Sequence, residues 1–138
     1  MAIAGLVATI AGASYMTVRT AGQEAIVPVF DLTNAATAEV RDGQGQVVLR
    51  GQFVAVNEED EDFERKAALE PANGQSRAAG EAEVEFAKVK PTEQEVEFAV
   101  RNLTPAASYA FIIDGHVVAT AAADRRGQVE VEVKVKMP

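Results

Sequence analysis

The chain contains no cysteine, no tryptophan and only one histidine. Without cysteine there is no thiol catalysis, no disulfide and no cysteine-ligated zinc, although the compartment stays open on that ground alone. Basic residues are also scarce. Thirteen lysines and arginines stand against 21 acids, a net charge of -8. That balance repels nucleic-acid phosphates at long range, so a nucleic-acid partner is not expected. Aromatics amount to six phenylalanines and two tyrosines, which leaves valine and alanine to fill the core.

Catalytic signatures are missing as well. Ser14, Ser76 and Ser108 have no Gly-x-Ser-x-Gly setting, and there is no HExxH pair, P-loop or dinucleotide glycine pattern. A nucleophile and base pair would have to use His116, which directly follows an Asp114-Gly115 turn, where a partly exposed hairpin-end residue is the expected reading. The glutamates Glu83, Glu85, Glu95 and Glu97 could mimic a glycosidase dyad. Alternation places them on the polar face, opposite Val84, Phe86, Val96 and Phe98, as solvating and edge-protecting charges together with Lys134 and Lys136. Residues Asn57 to Asp62 carry five acids in six positions but lack the glycine and spacing of a calcium loop, so a solvated acidic loop is expected. Asn102-Leu103-Thr104 is formally a glycosylation acceptor, and Arg125-Arg126 reads as a solvated turn. The sequence therefore assigns no catalytic, cofactor-binding or metal-ligating residue, and no cofactor.

What the sequence has in abundance is period-two alternation. Glu81 to Val89, Gln94 to Val100, Tyr109 to Ile113, His116 to Thr120 and Val129 to Lys136 each alternate apolar and polar residues or run apolar between turns. Such segments form half-buried antiparallel strands. Upstream, Ala38 to Arg41 and Gln46 to Val56 flank Asp42-Gly43-Gln44-Gly45 as a hairpin, with Gly51 marking a bulge or bend in the longer arm. Glu24 to Phe30 contains Pro28 and reads as an edge strand. Residues 64 to 70 are rich in helix formers and predict one or two helical turns ended by Pro71. Ala72 to Gly80 is a loop by composition. Asp42 to Leu49 and Asp124 to Val131 echo one another, each placing Gly-Gln after an Asp turn and before a valine-rich strand, which turn chemistry alone explains. The fold class expected is all-β, an antiparallel sandwich of about seven or eight strands.

Residues 1 to 18 carry no charge, and the first charged side chain is Arg19. Three readings follow: a secretory signal with Ala11-Gly12-Ala13 as cleavage site, a membrane anchor of about 27 Å as helix against a core of about 30 Å, or an apolar strand or helix packed into a domain. The division expected is a leader or assembly segment at 1–22 and one β-sandwich domain at 23–138.

Leu103-x-Pro105-x-x-x-Tyr109-x-Phe111 resembles the turn and strand entry of fibronectin type III and related immunoglobulin-like sandwiches. The resemblance implies that Leu103 packs under the turn, Pro105 shapes it and the Tyr109 hydroxyl bonds back to the chain upstream. It covers nine residues, and the core tryptophan usual in that family has no counterpart here.

The expected function is a non-catalytic, secreted or cell-envelope module acting in binding or structural assembly, with a cytoplasmic location as the alternative. Its partners would be a protein or further copies of itself, with membrane association through residues 1–18. Two rivals are a fibre or filament subunit assembling by donation of an N-terminal β-strand, and a carboxylate-based hydrolase.

Overall fold

The computed structural model describes the backbone of residues 4–10, 13–20, 23–28, 32–56, 62–74, 76–88 and 93–136, and the side chains of 32–56, 62–74, 76–88 and 93–134. These residues form β-strands and turns without a helix, so the fold is all-β. The strands are β1 (Ala4–Ile10), β2 (Ala13–Thr20), β3 (Gln23–Pro28), β4 (Thr37–Arg41), β5 (Val47–Gln52), β6 (Val54–Val56), β7 (Asp62–Pro71), β8 (Ala79–Ala87), β9 (Glu93–Arg101), β10 (Ser108–Ile113), β11 (His116–Ala122) and β12 (Val129–Lys136). Every recorded pairing is antiparallel.

Nine strands share one sheet in the order β11-β10-β4-β5-β7-β8-β9-β12, with β6 paired to β7 beside that path. The sheet folds over its own apolar face. Phe98 on β9 meets Phe111 on β10 edge to face at 5.2 Å, although four strands separate them along the sheet, so this contact crosses between layers. Val84, Val96, Val131 and Val133 from one half and Val40, Leu49, Ile113 and Val118 from the other complete the same core. β1, β2 and β3 form a separate three-stranded sheet, in which Pro28 ends the outer strand, as its missing N–H requires. β3 lies beside β11, and β1 and β2 lie beside β12.

The strand count exceeds the seven or eight expected: β1 and β2 lie in the apolar N-terminal stretch, β6 is split from the long arm that carries β5, and β7 stands where helical turns were expected. Residues 64–70 are not helical turns but part of a ten-residue strand. Glu, Arg, Lys, Ala and Leu favour helix locally, yet Phe63, Arg65, Ala67 and Leu69 also alternate with Glu64, Lys66, Ala68 and Glu70. Pairing from Asp62↔Ala87 to Leu69↔Gly80 settles the choice, a case of tertiary context overriding propensity. Along its other side β7 meets β5 at Leu49↔Pro71 and then β6 at Val54↔Lys66. The chain bends between those two strands as Gly51 passes over β7. A Cβ there would fall 2.2 Å from the Ala68 carbonyl oxygen, so no larger residue fits.

Turn chemistry behaves as the sequence dictates. Asp114 and Gly115, at φ 49° and 82°, make a two-residue hairpin that pairs Ile113 with His116. The Asp114 carboxylate accepts from the Ala36 and Thr37 N–H groups, tying this hairpin to the entry of β4. The two echoing turns share one geometry. The Oδ1 atoms of Asp42 and Asp124 each accept from N–H groups two and four residues on, and Gly45 and Gly127 donate back to the aspartate carbonyls. At the corner before β10, Tyr109 is buried and its hydroxyl oxygen accepts from Thr104 N–H at 3.0 Å. Leu103 is buried beneath the turn, and Thr104 to Ala107 closes with Ala106 at φ 65°.

Candidate functional site

The chemistry in the described residues gathers on the outer face of β7, β8, β9 and β12. Each of these strands buries one set of side chains in the core and sends the alternate set outward. Register then decides what meets what. One row across the four strands reads Lys66, Glu83, Glu97, Glu132, and the next reads Glu64, Glu85, Glu95, Lys134. Six glutamates thus stand among two lysines, with strands about 4.8 Å apart. Like charges directly opposite one another cost stability. The lysines sit at the ends of the rows, Lys66 3.4 Å from Glu64 and Lys134 3.6 Å from Glu132.

Carboxylate oxygens of Glu95, Glu97 and Glu132 all lie within 4.8 Å of one another. Glu95 is half-buried between its neighbours. Burial, followed by a hydrogen bond with Glu132 and its charge and then those of Glu97, pushes the Glu95 carboxyl up to about 7. Glu83 is raised to about 7 as well, first by burial and then by the hydrogen bond and charge of Glu64, with Lys66 opposing. Three carboxylates so close can share a proton or attract a cation. The six oxygens they offer are the number at the low end of calcium coordination, and all come from one flat face.

These glutamates depart from the expectation of solvated, edge-protecting charges in two respects. Glu83, Glu85, Glu95 and Glu97 do occupy the polar face, but Glu83 and Glu95 are half-buried and in mutual contact with other acids rather than fully solvated. Nor do they protect an edge, since β8 and β9 lie inside the sheet, whereas β12 ends its order. Glu64 and Glu132 were not singled out by sequence reasoning. The repeated Glu-x-Glu of consecutive strands was the available signal, but opposition of acids across strands depends on register.

The remaining candidates stay apart. Ser108 opens β10 and pairs with Ala122, whereas His116 pairs with Ile113 at the far end of the same hairpin, so they form no nucleophile and base pair. Ser76 accepts from Ala78 N–H in the loop before β8. Asn102 is exposed at φ 60° and donates to the Arg77 carbonyl. Arg125 and Arg126 are exposed in the turn between β11 and β12. Residues 57–61 of the acidic run, and the side chains of Ser14 and Lys136, lie outside the described residues. A shallow groove of about 510 Å³ opens where β5 gives way to β6 along β7, lined in part by Arg50, Val54, Glu70 and Pro71. None of the raised carboxyls lines it.

On the opposite half of the sheet the charges are complementary. Glu39 on β4 receives Arg50 at 2.9 Å and Arg41 at 3.1 Å, and the Arg50 hydrogen bond, foremost, holds its carboxyl below the usual carboxylate range. On the core-facing side of β7, Arg65 stacks over Phe63 at 5.1 Å and reaches the Ala35 carbonyl, while Gln94, buried, accepts from Leu32 N–H at 2.7 Å. These groups hold the segment preceding β4 against the sheet.

Comparison of the chain with family models, with characterised proteins and with solved structures returns no match.

Proposed function

We propose that this chain is a non-catalytic β-sandwich module of the immunoglobulin-like kind, exported or held at the cell envelope, that works through its outer surface in binding or structural assembly. The observation that carries this reading is the placement of its reactive-looking acids. Glu83 and Glu95 have the raised carboxyls an acid catalyst needs. They project from a sheet face, not into a recess that could surround a substrate and exclude water. A face of this kind suits contact with a partner. The Thr104 to Tyr109 bond and the buried Leu103 support the immunoglobulin-like assignment. The uncharged stretch at residues 1–18 supports export. A reporter fused after Pro138 tests the address: the module reading expects reporter activity outside the cytoplasm, and activity confined to the cytoplasm contradicts it.

A second reading, assembly by donation of N-terminal strands, is favoured by one observation. β3 lies beside β11 while β1 and β2 lie beside β12, so the N-terminal sheet packs against both end strands of the main sheet, which also touch each other. The same place could receive the N-terminal strands of a neighbouring copy. Light scattering on the full chain over a wide concentration range should then report masses above the 14.6 kDa monomer. A strict monomer throughout contradicts donation.

A further inference from the structure

We propose that the carboxylate face is a pH-sensitive latch on the last strand: a proton shared among Glu95, Glu97 and Glu132 fastens β12 to β9, and its loss loosens β12. The inference does not depend on the module reading.

Glu97 and Glu132 are direct partners across β9 and β12, and Glu95 stands one row away with its carboxylate within reach of both. When all three are ionised, three negative charges press on the β9–β12 pairing; one proton removes a charge and supplies an O–H donor between two acids. The groups facing this cluster are Glu81, Glu83 and Glu85 from β8, Glu64 and Lys66 from β7, Glu93 and Arg101 from β9 itself, and Glu130 and Lys134 from β12. β1, β2 and β11 also lie beside β12, and among the described side chains of these strands the titratable group is His116. Lys134, the register partner of Glu95, reaches Glu132 at 3.6 Å, and Lys66 reaches Glu64, so acids still outnumber bases around Glu95.

Position explains why β12 yields first. β8 is hydrogen-bonded on both sides, to β7 and β9, while β12 is paired in its sheet to β9 only and ends the strand order. Opening of an end strand is a local event that leaves the rest of a sheet folded.

The sign follows from linkage. A carboxyl raised in the folded state binds protons there that the open state releases, so its stabilisation is complete below the ordinary glutamate range and disappears as pH rises through the raised value. For Glu95 the window runs from about 4.5 to about 7.

The test is amide hydrogen exchange on the full chain at pH 5.5 and pH 8, corrected for intrinsic exchange, comparing β12 with β8. Protection of β12 is expected to fall about tenfold or more between the two pH values, one raised pKa unit being a factor of ten, and β8, although its own Glu83 also titrates in this window, stays the better protected strand at pH 8. Glu95→Gln, and separately Glu132→Gln, should hold β12 at pH 8 near its pH 5.5 protection. Glu130→Gln, whose position faces Ala99, should retain the wild-type fall. Equal protection of β12 at both pH values, or an unchanged fall in both Glu95→Gln and Glu132→Gln, would overturn the latch.

Discussion

Two outward faces of one sheet treat the same residue type in opposite ways. On β4 and β5, Glu39 is met by two guanidinium groups and its carboxyl is held low. On β8, β9 and β12, Glu83 and Glu95 are met by burial and by other glutamates, and their carboxyls rise to about 7. Alternation put all three on polar faces. What separates them is the set of partners that register delivers: Arg50 stands opposite Glu39, whereas Glu83 and Glu95 each have an acid on one side and on the other a lysine that reaches a different glutamate. An outward strand position is therefore not automatically a solvated one. Its electrostatics belong to the neighbouring strand as much as to its own.

The largest expected effect removes what both faces share. Tyr109→Ala opens a cavity under the corner and should cost about 3–5 kcal/mol. Because the core lies behind both faces, the urea midpoint should drop by similar amounts at pH 5 and pH 8, with an unchanged slope. Tyr109→Phe keeps the ring and loses only the bond from Thr104 N–H, so about 1 kcal/mol is expected, again independent of pH in this range.

Charge substitutions should divide the two faces by sign. Glu39→Gln is expected to cost about 0.5–1 kcal/mol at pH 8, a modest value because Arg50 is 61% exposed and water screens the pair. A lowered carboxyl contributes stability above its unfolded value and loses it as pH falls through the folded one, so the cost should vanish in strong acid. Glu95→Gln should act in the other direction, raising the urea midpoint at pH 8 and leaving it nearly unchanged below pH 4.5. Equal signs for the two variants at pH 8 would dissolve the contrast.

The smallest effect expected concerns backbone alone. Ala106 sits at φ 65° as the third residue of the corner turn, a conformation glycine adopts without a Cβ penalty. Ala106→Gly should raise stability by about 0.5 kcal/mol, the relief of left-handed strain exceeding the entropy glycine loses. A lower denaturation midpoint for this variant would show that the turn is not strained.

Much of this architecture is written locally. The Asp114-Gly115 hairpin, the paired Asp42 and Asp124 turns and the Tyr109 corner all follow from residues whose dihedral or hydrogen-bonding needs act within a few positions. β7 was hidden because Glu64 to Leu69 satisfies a helical composition and a period of two at once, and only its neighbours β5, β6 and β8 decide between them. The carboxylate cluster was half legible. Each Glu-x-Glu announced a polar face, but the opposition of Glu97 to Glu132 and the approach of Glu95 depend on strand order, which pairs β12 with β9 rather than with the preceding strand β11.

Side-chain carboxyl titration by NMR, following Glu39 and Glu95 in the same full-length sample, tests the contrast most directly. The account predicts a midpoint for Glu95 at about 7 and one for Glu39 below 4.5. Coincident midpoints in the ordinary glutamate range would contradict it.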